Sequence, residues 1–407
     1  MEVVALTGTQ HYTRFFQLRI LINVEYWRDY LANNATDIPA LDAERDLIIK
    51  AIGYALELQE EWPMVYELIT SFSSYIERRG YWASWNQRLD RAIEVAQCMG
   101  DLAGATTLSV LLARLLQRQG KFKEAINCYR SVIPMARRTG NLFEEARACT
   151  NLGYLYIEQG HWSRAEILCC HALTIFESIN SDHGRAHTEN HLGFLYTRQG
   201  LWDRSQEHLE QACAIWQSMG DHHGLMRGFI NLGVLYNEMG GLDQALVALK
   251  NALQYAQLAG EEVEIGKIYL NIGAAHQLKG EPEQAELYAW QAAAIFKHYS
   301  HPMDLALAWF NLGRVYTDLA RWEDAQNYLE AALQACQQLN YEYGEIKALI
   351  GFIEYELARK NLSQAIVRLS ELEDLVQAPE KAARYRYLQS LLTKYHYSLA
   401  GQEPAKL

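Results

Sequence analysis

The chain has 407 residues, half of them hydrophobic, with 37 Lys and Arg against 49 Asp and Glu and a formal net charge of −12 at pH 7. The basic residues are scattered, which argues against a dedicated nucleic-acid or anionic-membrane surface. Seven Pro leave room for long helices. The seven Cys, odd in number and without a Cys-x-x-Cys pair, read as small core residues in a reducing cytoplasm. No basic end followed by an apolar run opens the chain between Met1 and Gln10, so no signal peptide is expected. The most apolar stretch, Leu108–Leu116, is broken by Arg114 and is too short to span a bilayer.

Residues 11–32 read as one aromatic-rich helix and residues 42–60 as a second. Asn33–Pro39 is the irregular segment between them. This pair departs from the pattern of the later helices, as the end cap of an array does. Residues 63–79 and 82–99 form the next pair, with Gly80 and Gly100 at turn positions. Residues 102–139 are a degenerate copy of the later pattern, with Ala113 where the later copies have Gly.

From residue 142 the pattern is regular. Asn151-Leu-Gly-Tyr-Leu-Tyr156 returns as His191-Leu-Gly-Phe-Leu-Tyr196, Asn231-Leu-Gly-Val-Leu-Tyr236, Asn271-Ile-Gly-Ala-Ala-His276 and Asn311-Leu-Gly-Arg-Val-Tyr316, each forty residues after the last. A fixed period in this range means a repeat array. Ala165, Ser205, Ala245, Ala285 and Ala325 keep the same step, as do Ala172, Ala212, Ala252, Ala292 and Ala332. Gly120, Gly160, Gly200, Gly240 and Gly280 mark one turn of each period, and Gly100, Gly140, Gly220 and Gly260 the other. Each period therefore holds two helices. Small residues on both predict a close approach of their backbones. Ser163, Asp203, Asp243, Glu283, Glu323 and Ser363 open the second helices, where a negative or capping group is favourable. The last pair, Tyr343–Ala358 and Leu362–Leu375, keeps Ala365 but has Ile353 in the Gly position. Lys381–Leu399 reads as a final helix with a polar outer face (Lys381, Arg384, Arg386, Lys394), and the tail from Gly401 as frayed.

An aromatic (Trp309, Tyr269, Phe229), then Leu-Gly, then Tyr, then two Ala on the next helix resembles the tetratricopeptide repeat. The longer helices and missing closing Pro are similar to the extended repeats of kinesin light chain and spindle-orientation adaptors. They are also similar to the sensor region of STAND-type signal-transduction ATPases, whose start the segment Tyr75-Ile-Glu-Arg-Arg-Gly-Tyr-Trp82 resembles. No G-x-x-x-x-G-K-[ST] is present to supply an ATPase. The resemblance covers about residues 62–376. It implies an all-α, right-handed α-α superhelix of about eight helix pairs with atypical capping helices at both ends. The organisation reads as capping helices over residues 1–60, degenerate pairs over 61–140, five well-formed repeats over 141–340, a degenerate last repeat over 341–376, and a capping helix and tail over 377–407.

The resemblance also implies that the first helix of each pair lines a groove, and it assigns the slots. One slot holds Arg147, His187, Arg227 and Lys267, a positive bias on an acidic protein. The slot one turn later holds Asn151, His191, Asn231, Asn271 and Asn311, whose amides offer a donor and an acceptor to the main chain of an extended peptide. The next adds Tyr154, Phe194 and Arg314. The expected function is a cytoplasmic scaffold or adaptor that holds an extended, acidic segment of a partner protein. A regulatory sensor superhelix acting on a separate effector is the alternative. His183, His187 and His191 share one helix face and form a weak candidate metal or enzyme site, since His187-Thr-Glu-Asn-His191 is not His-Glu-x-x-His. No nucleophile elbow, dinucleotide motif or identifiable carboxylate pair points to an enzyme, and no cofactor is expected.

Overall fold

A computed structural model describes residues 8–34, 37–58, 61–79, 82–339, 341–376 and 388–399. The described residues form nineteen helices and no strand. They run α1 (Gly8–Asn34), α2 (Ile38–Leu58), α3 (Trp62–Arg79), α4 (Trp82–Cys98), α5 (Leu102–Arg118), α6 (Phe122–Thr139), α7 (Leu142–Glu158), α8 (Trp162–Ser178), α9 (Asp182–Gln199) and α10 (Trp202–Met219). They continue as α11 (His222–Met239), α12 (Leu242–Ala259), α13 (Glu262–Leu278), α14 (Pro282–His298), α15 (Pro302–Asp318), α16 (Trp322–Gln338), α17 (Glu342–Ala358), α18 (Leu362–Val376) and α19 (Leu388–Leu399). The fold class is the all-α superhelical repeat expected from the sequence.

The chain divides into two compact units, Met1–Leu155 with Thr174–Ile179, and Tyr156–Leu173 with Asn180–Leu407. In the first, α1 packs on α2 and α3, α4 on α5, and α5 on α6. Phe72 and Trp85, both fully buried, meet edge to face at 5.5 Å. The Trp62 indole donates to Asp101 Oδ2 at 2.8 Å. In the second unit each odd-numbered helix from α11 to α17 packs on the helix before it, and α9, α11, α13 and α15 also pack on the helix after. α9 touches α11, α11 touches α13, α13 touches α15 and α15 touches α17. A representative core joins Ala289 to Phe310, Leu312, Tyr316, Ala325, Leu329, Ala332 and Phe352.

The turns explain the rhythm. Every twentieth residue takes a left-handed backbone, from Gly100 (φ 76°) to Gly280 (φ 79°), with Asn180, Ser300, Ala320 and Lys360 doing so without being glycine. The amide after it closes back on the helix, as Leu201 N–H does to the Tyr196 carbonyl at 2.9 Å and Gly241 N–H to Tyr236 at 2.8 Å. This 6→1 bond satisfies a carbonyl that the helix end would leave bare.

The close approach holds, with a different partner. A Cβ on Gly193, Gly233 or Gly313 would lie 2.5, 2.6 or 2.6 Å from Cγ of Leu209, Leu249 or Leu329. The motif glycine thus makes room for a leucine on the second helix, and the fully buried Ala245 and Ala252 flank it in sequence. At Gly273 that leucine is Ala289, and the nearest atom is the Ala285 carbonyl oxygen at 3.4 Å. The α9–α10 contact also carries polar pairs: Glu189 Oε2 lies 2.5 Å from His208 Nδ1, and Thr197 and Ser205 share a 2.7 Å hydroxyl bond.

Several boundaries differ from expectation. Pro39 sits in the first turn of α2, where proline has no N–H to lose, so the irregular segment is shorter than Asn33–Pro39. Asp203, Asp243, Glu283 and Glu323 lie inside the first turn, because the helices begin at Trp202, Leu242, Pro282 and Trp322. The residues before those starts make no side-chain cap bond. These acids are the negative groups expected at the openings of the second helices, and they act on the helix dipole. True caps are on the first helices: Asp101, Ser181 and Asp221 accept from the amides of Gly104, Gly184 and Gly224. Gly80, Lys381, Arg384, Arg386 and the tail from Gly401 lie outside the described residues.

Candidate functional site

The motif Asn, His and Phe residues and the basic row lie on one face of each first helix, because their spacings of four and three follow the helical repeat. The structure gives these positions unequal partners.

In the first unit, half-buried Arg147 lies with Nε 3.0 Å from Glu144 Oε2 and its guanidinium 5.9 Å from the Phe143 ring centroid. Asn151 donates to the Arg147 carbonyl of its own helix at 2.9 Å, so its amide N–H is engaged one turn back. Tyr154 is half-buried on the same helix.

The remaining predicted residues belong to the second unit. His187 lies edge-on to Trp216 at 5.3 Å, with the His183 ring 4.5 Å away and Arg227 Nη1 3.3 Å from its Nδ1. His191 is buried, at 7% exposure. Among the described residues no group of three or more His, Cys, Asp and Glu is arranged to hold a metal ion. Phe194 is half-buried beneath Arg198, 5.7 Å from guanidinium to centroid. Asn231 donates to Oδ1 of the buried Asn190 at 2.8 Å, which ties α11 to α9. Lys267 Nζ is 2.8 Å from Glu264 Oε1, and Arg314 Nε is 2.8 Å from Glu354 Oε2.

Asn271 and Asn311 stand apart. Both are half-buried, and neither side chain makes a hydrogen bond among the described residues. One helix further, Lys347 lies 5.5 Å over the Tyr343 ring and has no acidic partner among the described residues. Leu307 is the half-buried apolar side chain in the basic slot of α15, between the helices that carry Lys267 and Lys347.

The basic row is therefore interleaved with acids that the repeat motif does not mark. Burial opposes ionisation of Glu264, but Lys267, His223 and Arg227 outweigh it and hold the carboxyl below its ordinary value. Burial, with Arg227 beside it, pulls the His223 imidazole down. Burial pushes Asp304 up against the pull of Lys267 and His301. The signal was available: Glu264 and Asp304 share a repeat position three residues before Lys267 and Leu307, one turn away on the same face. Asn190 gave no periodic signal, since Thr150, Ile230, Leu270 and Phe310 fill that position elsewhere.

The motif tyrosines brace successive repeats. Tyr196 donates to Glu166 Oε1 at 2.7 Å and accepts from Arg204 at 2.6 Å. Tyr316 donates to Glu286 at 2.8 Å and accepts from the Trp290 indole at 3.1 Å. Each reaches the second helix of the preceding pair, which is a structural task.

Models of the tetratricopeptide repeat match residues 104–178, 184–257 and 308–340, so the chain carries tetratricopeptide repeats. No curated protein matches it. Among solved structures it is similar to a Rap protein complexed with Competence and Sporulation Factor, with TM-score 0.59 and 16% identity over 83% of this chain and 99% of that one. It is similar to the apo quorum sensor NprR from B. thuringiensis, with TM-score 0.57 and 14% identity over 86% and 98%. It is also similar to a STAND protein with a tetratricopeptide repeat sensor from Pyrococcus horikoshii, with TM-score 0.56 and 15% identity over 80% of this chain and 52% of that one, about half its length. At these identities the likeness is one of fold. Among the described residues no helix is long and apolar enough to cross a membrane.

Proposed function

We propose that the chain is a binding scaffold that holds an extended segment of a partner protein along the first helices of the second unit. The observation that carries this reading is the pair Asn271 and Asn311, half-buried amides on successive first helices with no side-chain hydrogen bond among the described residues. Amides that no neighbouring side chain or carbonyl engages can donate to and accept from a ligand's main chain. Packed helices lie roughly 10 Å apart, which an extended chain covers in about three residues. A segment of about nine residues then reaches Asn271, Asn311 and Lys347, with Leu307 as an apolar contact. Lys347 takes an acidic side chain, and Arg227 with His187 a second one. His191, Phe194, Asn231, Lys267 and Arg314 frame the path. The fold shared with a Rap protein complexed with Competence and Sporulation Factor supports a ligand-binding role.

A sensor reading, in which the ligand changes the array and the array acts on a separate effector, draws on the fold shared with a quorum sensor and a STAND sensor. One experiment addresses both. The partner is recovered by mass spectrometry of what co-purifies, and its segment is titrated calorimetrically against wild type, Asn271→Ala and Asn311→Ala. Weaker binding in both variants supports the groove, and equal affinities refute it. A change in solution scattering on binding favours the sensor.

A further inference from the structure

The first unit carries an apolar face that no described helix covers. Helix α1 packs on α2 and α3 and buries Ile20, Val24, Trp27 and Leu31, which recur every three or four residues along one face. Leu18, Ile22 and Tyr26 each stand two residues from one of these, roughly half a turn away. With Phe15, one turn before Leu18, they form a second apolar stripe opposite the first. Each of the four is more than half exposed. A helix that packs along one face ordinarily turns polar residues outward. An exposed apolar patch in their place marks an interaction site. The stripe also has the spacing of three and four with which two helices interlock side by side.

Charge is divided along the same face. Arg14 and Arg19 lie at its N-terminal end, both exposed and without an acidic partner among the described residues, and Arg19 rests 5.1 Å over the Phe15 ring. Glu25 and Asp29 lie at its C-terminal end, both exposed, and share one cation, Arg28, at 3.9 and 2.8 Å. One end of the stripe is thus net positive and the other net negative, with Ile22 between them. Two such stripes laid antiparallel about Ile22 bring Arg14 and Arg19 of each beside Glu25 and Asp29 of the other, and Leu18 beside Tyr26. Laid parallel, arginine meets arginine and carboxylate meets carboxylate, which opposes association.

We propose that α1 pairs antiparallel with α1 of a second copy of the chain, with the two-fold axis at Ile22, so that the protein self-associates through its first unit. A two-fold contact needs a patch that is complementary to itself, and the divided charge supplies that. The stripe runs along roughly 17 Å of helix, which makes a small interface, so the dimer exchanges with monomer at about micromolar concentration. It uses no residue of the amide path on the second unit and stands or falls independently of it.

The test is sedimentation equilibrium of the full chain from about one to a hundred micromolar, at low and high salt. A monomer–dimer equilibrium that weakens as salt rises is expected. Ile22→Glu sets two carboxylates face to face on the axis and should raise the dissociation constant at least about a hundredfold. Its circular dichroism should match wild type, because Ile22 is exposed. Arg14→Glu with Arg19→Glu, and separately Glu25→Lys with Asp29→Lys, should each weaken association about tenfold or more, and a mixture of the two double variants should recover it. Non-specific sticking of apolar surfaces would not give that recovery. A chain that stays monomeric throughout, a dimer indifferent to Ile22→Glu, or double variants that pair no better mixed than alone would each overturn the proposal.

Discussion

Two glycines that occupy the same position of successive repeats should respond to alanine with opposite signs. At Gly233 an added Cβ falls 2.6 Å from Leu249 Cγ and 2.7 Å from Cδ2. Leu249 is fully buried, as are Ala245 and Ala252 on the same helix, so the leucine has nowhere to go. Replacing Gly with Ala in a helix gains about 1 kcal/mol of propensity. Overpacking a dense core costs about 1–3 kcal/mol. Gly233→Ala should therefore destabilise by roughly 1 kcal/mol net, and Gly233→Leu by several. At Gly273 the facing residue is Ala289, and the nearest atoms to an added Cβ are the Ala285 carbonyl oxygen at 3.4 Å and Tyr288 Cβ at 3.6 Å. Here the methyl fits, the propensity term stands alone, and Gly273→Ala should stabilise by up to about 1 kcal/mol. Because repeat arrays can unfold in parts, the assay is urea unfolding by circular dichroism together with hydrogen exchange at the substituted helices. Shifts of the same sign in Gly233→Ala and Gly273→Ala would refute the argument that the facing leucine sets the sign.

Other consequences are more local. Asn271→Ala or Asn311→Ala should weaken binding of the co-purifying segment about fivefold by titration calorimetry, one neutral hydrogen bond, without changing the melt. Ala320 holds φ at 54°; Ala320→Gly should relieve the left-handed strain and raise stability by about 0.5–1 kcal/mol in chemical denaturation. Tyr316→Phe strips bonds from Glu286 and Trp290 and should cost about 1–3 kcal/mol, measured the same way. Burial opposes ionisation of Glu77, but Arg114 and Arg118 outweigh it and hold the carboxyl below its ordinary 4.5. Its contribution is thus complete above that pH and is lost as pH falls through the lower folded value. Thermal melts across the acid range should show the first unit losing stability there, and Glu77→Gln should flatten that dependence.

The array was legible because its rule is local and periodic. Helix length, turn glycines and the Leu-Gly-x-Leu-Tyr face all repeat, and each is fixed by contacts within a turn or with the next helix. What escaped was set by neighbours that do not repeat. The close approach at Gly233 was expected between small residues, yet its partner is a leucine, since one missing side chain leaves a socket for a large one opposite. The asparagine row looked uniform, but Asn151 turns to its own helix and Asn231 to Asn190, while Asn271 and Asn311 do neither. The positive row looked unopposed because the acids that face it sit one turn earlier and occupy that position in only some of the copies. Such distinctions depend on which side chain occupies the adjoining copy, and forty-residue averaging removes that information.

The twenty-residue beat has a genealogical consequence. A recombination event that removes residues 201–240 rejoins the chain at a turn and leaves every remaining helix in phase. α9 would then meet α12, and Gly193 would find Leu249 where it now finds Leu209. The exchange is not free, because Ala248 would replace His208 opposite Glu189, a carboxylate only 6% exposed, and Ala245 would replace Ser205 opposite Thr197. Leaving a buried acceptor without its hydrogen-bond partner costs about 1–3 kcal/mol. The α9–α10 joint is in this sense a lock with its own key, whereas joints built only from glycine and leucine accept any copy. Losses and gains of repeats should therefore fall away from α9 and α10, which would persist as a fixed landmark while the number of repeats around them drifts.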